Sequence, residues 1–179
     1  MAEEIGVNSF IAQFTGGGAR PNLYKVTLNF PAIAAGQGSA TKRSMLCKAA
    51  TLPQSTIGMV NVPFMGRNIK VAGDKEFPEW TVTMLNDTDF DTRKSFETWL
   101  NRINNHALNV GVATPLAYMS SIQVEQLDRL GRVIYKYELV GCFPTEVGEI
   151  SLGYDQNDAV EEFTVTFAMQ YWTSDGAIV

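Results

Sequence analysis

The residues of this chain that could do chemistry are few and scattered. Asp87, Asp89 and Asp91 are spaced as D-x-D-x-D, the opening of a loop whose carboxylates ligate calcium. That pattern needs Gly at its sixth position and Glu at its twelfth, where Thr92 and Thr98 stand, so the aspartates read as helix caps. His106 is the single histidine and follows a helix end in NNHALN, where a cation complements the macrodipole. One histidine and two cysteines cannot make a Cys2His2 zinc site. Cys47 and Cys142 lie in the apolar runs MLCKAA and LVGCFP and read as buried small hydrophobes, with a disulfide disfavoured in a reducing cytosol. Gly16, Gly17 and Gly18 precede Arg20 without the GK[ST] ending of a phosphate-binding loop, and no strand leads into them. Glu161-Glu162 reads as a solvated strand start rather than an acid/base pair. The expectation is a chain with no catalytic residue, no metal and no cofactor.

One polar stretch invites a different kind of function. GRNIKVAGDKEF, Gly66 to Phe77, reads as a solvated loop carrying Arg67, Lys70, Asp74, Lys75 and Glu76. Mixed sign at that density suits contacts that set the register between copies of a chain, since like charges would clash in a wrong pairing. A groove for single-stranded nucleic acid would instead interleave basic and aromatic residues.

The elements that must position these residues are mostly strands. LYKVTLNF (Leu23 to Phe30) and WTVTML (Trp80 to Leu85) alternate with period two. Met45 to Leu52 and Ile57 to Phe64 are apolar runs around the turn Pro53-Gln54-Ser55-Thr56. Ser120 to Leu127 and Val133 to Phe143 form a hairpin across Asp128-Arg129-Leu130-Gly131. Phe163, Val165, Phe167, Met169 and Tyr171 place large apolar side chains on one face of a last strand. IAQFTGGGARPN and PAIAAGQGSATKR read as loops. One helix stands out: Phe96, Trp99, Leu100 and Ile103 fall at i, i+3, i+4 and i+7, a stripe that faces a core. The class is mainly β, a β-sandwich or partly closed β-barrel, with one flanking α-helix and a single domain over residues 1–179.

Composition narrows the function further. Apolar residues make up 45% and charged residues 18%, a balance that supports a folded core. The net charge of −5 and pI near 4.9 disfavour tight binding to a phosphate backbone, which needs clustered Lys and Arg. Apolar runs are too short to span a bilayer, and MAEEIGVNSF has acids where a secretory signal has a basic start. A cytosolic place of synthesis is expected.

Five stretches in order carry a family resemblance: GGARPNLYKV, FP at Phe30-Pro31, CKAATLPQSTIG, GR…IKVAGDKEFPEWTVT and RKSFETWLNRIN. Together they resemble the tail tube proteins of contractile-tailed bacteriophages. The resemblance implies a β core with a flanking helix, assembled as hexameric rings that stack into the inner tube of the tail. It implies as partners other copies of the chain, the tail sheath outside, and the tape measure protein and genomic DNA in the lumen. Baseplate and tail terminator proteins meet the ends, and no membrane is involved. The place implied is the virion tail, assembled in the bacterial host cytoplasm. On that footing Gly17, Arg20, Leu52, Pro53, Ile57, Arg67, Lys70, Asp74, Lys75 and Glu76 are expected at contacts between copies, with the segment through Arg20 ordering as rings stack. Phe96, Trp99, Leu100 and Ile103 are expected in the core. The acidity of the chain raises the further expectation of an acidic lumen that repels DNA phosphates. Alternatives are the tube of a related injection machine (a tailocin or secretion-system ring), the initiator joining baseplate to tube, or, remotely, a small-molecule-binding β-barrel.

Overall fold

The computed structural model describes residues 6–14, 17–34 and 39–175. The chain runs as α1 (Val7–Gln13), β1 (Tyr24–Leu28), α2 (Ala40–Met45), β2 (Cys47–Ala50), β3 (Thr56–Phe64), β4 (Arg67–Glu76) and β5 (Trp80–Leu85). It continues as α3 (Asp91–Ile103), α4 (Pro115–Tyr118), β6 (Ser120–Leu127), β7 (Val133–Val147), β8 (Glu162–Ala168) and β9 (Tyr171–Ser174). The main sheet has the order β1-β6-β7-β8-β5-β2, with β9 also on β7, while β3 and β4 form a two-stranded sheet of their own.

β7 belongs to both halves of the main sheet. Up to Cys142 it pairs with β6 and β9, and from Phe143 with β8. The change of partner falls at Gly141, whose φ of +67° is left-handed and where a Cβ would lie 2.6 Å from Gln170 Cγ. A bulge between Ser120 and Ile122 of the β6 pairing marks the same place, and such bulges bend a strand. The outermost strands β1 and β2 then approach each other without sharing a backbone ladder. The Tyr24 hydroxyl bridges them, donating to the carbonyls of Cys47 (3.2 Å) and Lys48 (2.5 Å). The result is a strongly curved sheet that is partly closed.

Alternation fills the interior. Val26 and Leu28 of β1, Trp80, Val82 and Met84 of β5, and Phe163, Val165 and Phe167 of β8 are buried, while their neighbours along each strand face outward. α3 closes this core. Its buried face is Thr92, Ser95, Phe96 and Trp99. Phe96 meets the rings of Phe163 and Phe167 edge-on at 6.2 and 6.0 Å, and Phe30 packs 5.0 Å from both Phe96 and Trp99. The buried indole of Trp99 donates to the Tyr118 carbonyl at 2.8 Å, tying α4 to α3. Ile103 packs at the edge of the core, and Leu100 is half-buried, so the stripe is rotated toward the small side chains Thr92 and Ser95.

Several sequence expectations are corrected. The stretch Gly66 to Phe77 is not a loop: Arg67–Glu76 is a ten-residue strand paired with Thr56–Phe64. Of the apolar runs around Pro53, Cys47–Ala50 pairs with β5 and Thr56–Phe64 with β4. Val7–Gln13, read as a polar start running into a loop, is helical, and so is Ala40–Met45, where Ser39 caps the helix by accepting from the Thr41 amide at 3.3 Å. Part of the second loop, residues 35–38, lies outside the described residues, as do Gly16 and the termini 1–5 and 176–179.

Candidate interaction surface

The aspartates do not cap α3. Its N-cap position is Phe90, left-handed at φ 56°, with no side-chain cap. The three carboxylates turn instead toward Lys42 of α2, whose ammonium lies 2.5 Å from Asp87, 3.4 Å from Asp89 and 3.9 Å from Asp91. They converge to within 4.8 Å, so the place a cation would take is held by a lysine from α2. Asp87, then Asp89, hold the Lys42 ammonium pKa above its ordinary value. Nothing in the local spacing points to this, because the cation comes from 45 residues upstream. His106 is exposed, and its backbone amide donates to Asn101 Oδ1 at 3.1 Å. Cys47 and Cys142 are buried free thiols, pushed by desolvation to pKa values of about 11 and about 12. A cleft of about 650 Å³ between β1 and α2 is lined by Tyr24, Thr27, Ser44 and Met45 among others. It offers a few hydroxyls and no paired acid and base.

The conspicuous surface is the arm made by β3 and β4. A two-residue turn joins them, Met65 (φ 45°) and Gly66 (φ 80°), with Phe64 opposite Arg67. Two positive φ values in a two-residue turn match the twist of the ribbon. At the other end Gly58 and Gly73 let the backbones close, since a Cβ on Gly73 would stand 3.2 Å from the Gly58 carbonyl. Two indoles anchor the root. Trp80 donates to the Thr51 carbonyl at 2.6 Å and Trp172 to the Gln54 carbonyl at 3.1 Å. Pro53 between them is buried, and Leu52 is exposed.

The register sorts the arm into two faces, because partners across an antiparallel pair point the same way. Val60 faces Val71, Val62 faces Ile69, and Phe64 faces Arg67. This face is apolar and ends at the tip of the arm in one cation, Arg67. The other face carries Asn61 opposite Lys70, Pro63 opposite Asn68 and Met59 opposite Ala72. Nearer the root the register shifts between Ile57 and Met59, and beyond the shift Ile57 lies opposite Lys75 and Thr56 opposite Glu76. Every residue of β3, and all of β4 save half-buried Gly73, is exposed, and both outer edges of the ribbon are unpaired among the described residues. The Lys75 ammonium lies 5.2 Å over the Phe77 ring, and among the described residues none of Arg67, Lys70, Asp74, Lys75 and Glu76 joins a salt bridge.

The structure therefore gathers Ile57, Arg67, Lys70, Asp74, Lys75 and Glu76 on one projecting element, with Leu52 and Pro53 at its root. Gly17 and Arg20 lie elsewhere, beside the β6–β7 turn: Gly17 is near the Arg129 guanidinium, and the Arg20 carbonyl accepts from Gln126 at 2.6 Å. Sequence reasoning passed over a second bare surface. Val7, Phe10, Ile11 and Phe14 follow i, i+3, i+4, i+7 along α1, a signal that was present without charge or cap to support it.

Comparison with known proteins gives a consistent picture. A family profile described as phage tail tube protein matches residues 19–175. The chain is 36% identical over 155 residues to the tail tube protein gp19 of Enterobacteria phage T4, across 86% of this chain and 90% of that protein. The fold is shared with a chain of the anti-feeding prophage baseplate, solved 6-fold symmetrised (TM-score 0.65, 12% identity, 88% of this chain and 95% of that one). It is shared also with a chain of the sheath–tube complex of an extracellular contractile injection system in the extended state (TM-score 0.60, 11% identity, 92% and 96%).

Proposed function

This chain belongs to the phage tail tube protein family, and on that premise we propose that its copies close into hexameric rings that stack as the inner tube of a contractile tail. The role is structural, a component of the virion. The observation that carries this reading is the β3–β4 arm, which stands off the core with a bare apolar face and two unpaired edges. Exposed strand edges recruit other strands, and a ring of copies removes them by joining each ribbon to the next. The apolar face is then covered by neighbouring copies, and the polar face lines a water-filled lumen through which tape measure protein and genomic DNA pass. The net charge of −5 on each copy makes the lumen acidic on this reading, which disfavours adhesion of DNA phosphates. The mixed charges of β4 fix register where the strands of adjacent copies meet. Leu52, Pro53 and Ile57 set the root of the arm at the seam, and Gly17 and Arg20 meet the adjoining ring. The sheath surrounds the tube, and baseplate and terminator proteins close its ends. Assembly takes place in the host cytoplasm, and the single domain over residues 1–179 acts as one unit.

Negative-stain microscopy of the purified chain, raised stepwise in concentration, tests the reading. Rings or hollow tubes are the expected result. A protein that sediments as a monomer up to high concentration overturns it.

A further inference from the structure

Two apolar faces of this chain are bare, and they lie on different elements. On α1, Val7, Phe10, Ile11 and Phe14 are 76, 63, 62 and 52% exposed, and no residue of the helix is buried. On the arm, Val60, Val62, Phe64, Ile69 and Val71 share one face and are between 44 and 57% exposed. The two strands of the arm pack extensively only on each other, and α1 packs extensively on no other element. Each is nonetheless well formed. Phe10 and Phe14 stack at 5.5 Å, and the Phe14 ring closes over Gly18, where a Cβ would stand 2.7 Å from it.

The two faces fit each other in size and charge. A helix is about 10 Å across, and a two-stranded ribbon with its side chains presents a similar width. The segment VNSFIAQ of α1 carries no charge, so it meets no like charge from Arg67 at the tip of the arm face. Nine side chains that still expose roughly 100 Å² each remove on the order of 1,000 Å² from water when brought together, the range at which a specific contact becomes stable. Two different patches on one chain that fit each other make a heterologous contact, which propagates from copy to copy as a ring or a stack.

We infer that α1 of one copy lies across the apolar face of the β3–β4 arm of a neighbouring copy. The inference rests on the reading of the chain as a tube subunit and adds which segment covers the arm. It assigns the N-terminal helix a clamping role between copies, and it accounts for an apolar stripe that serves no purpose inside the monomer.

Mixed-chain crosslinking tests it. An affinity-tagged Ile11→Cys chain is assembled with an untagged chain carrying Ile69→Cys, or with Asn61→Cys on the polar face as the control, and oxidised with copper phenanthroline. Phe10→Cys with Val62→Cys provides a second pair. All these positions are exposed in the monomer, and the native thiols Cys47 and Cys142 are buried. A tagged–untagged disulfide for both apolar-face pairs, at least about tenfold stronger than for the Asn61 control, is expected from a helix seated on one face only. Tubes visible by microscopy without that band, or with equal bands on both faces, overturn the inference and leave the tube reading intact. Wild-type chains that form no rings or tubes overturn the tube reading itself.

Discussion

Removing carbon from the apolar face of the arm should weaken assembly without weakening the monomer, and the size of the effect follows from exposure. Val62 and Ile69 face each other across the arm and are 44% and 50% exposed. The double variant Val62→Ala, Ile69→Ala deletes five carbons, each contributing about 0.8 kcal/mol on full burial. Only the half of each side chain that is still exposed can be buried on assembly, so the loss is about 2 kcal/mol per contact, or roughly a thirtyfold rise in critical concentration. The isolated chain should be nearly indifferent, because neither residue touches the core; surface changes of this kind stay within about 0.5 kcal/mol, or about 2 °C in Tm. Pelleting across a concentration series gives the critical concentration, and calorimetry of the unassembled chain gives Tm. The control is Asn61→Ala with Asn68→Ala on the opposite face, expected to move the critical concentration less than about threefold. Equal shifts from the two double variants would refute the assignment of faces. A monomer Tm lowered by many degrees would refute the claim that the arm stands outside the core.

Reversing charge at Lys70 or Asp74 singly should raise the critical concentration by up to about fivefold, as expected of cross-strand charge pairs, and reversing both should restore part of it; unchanged assembly in both single variants removes these residues from the register. Gly141→Ala forces a side chain into left-handed backbone and against Gln170, so the unassembled chain should lose at least about 1–2 kcal/mol, roughly 2–8 °C in calorimetry; an unchanged Tm would mean the bend does not need its glycine. Burial raises both thiol pKa values above the ordinary value of 9.0, to about 11 and about 12. The folded state therefore keeps protons that the unfolded state releases, so stability is complete below pH 9 and declines as pH rises toward 11. Urea titrations at pH 8 and pH 10.5 should show a lower midpoint at the higher pH, with the difference reduced in Cys47→Ala, Cys142→Ala; a flat midpoint would contradict the burial of these groups.

How much of this was legible in the chain depended on how local the determining contacts are. The β6–β7 hairpin could be read because its turn is held within itself, with Asp128 Oδ1 accepting from the amides of Leu130 and Arg132, both at 2.8 Å. α3 could be read from its stripe, although the stripe was drawn through Leu100 where packing chose Thr92 and Ser95. The second strand of the arm was taken for a loop because a strand solvated on one side alternates charged and apolar residues, and Gly66 and Gly73 blurred that alternation. The aspartate cluster was assigned to the nearest helix because its partner, Lys42, arrives only through tertiary packing of α2. Strand order was out of reach for the same reason: β2 finds β5 across the whole length of the arm. For the candidate surface, the charged residues of β4 were picked out by composition, whereas the sorting into two faces needed the register.

The fifteen residues of β7 matter for a reason separate from packing. A protein whose two half-sheets met only through side chains could let one slide over the other under load, since such contacts yield individually. Here a single covalent strand, roughly 50 Å if fully extended, is laced into both halves by backbone ladders. A push on one half reaches the other along the peptide backbone, and the ladders on either side of Gly141 share it in shear, many bonds at once. In mechanical terms β7 is a tie rod with one designed bend, and the curvature of the subunit is set by a bulge and a glycine in the backbone rather than by side-chain packing alone.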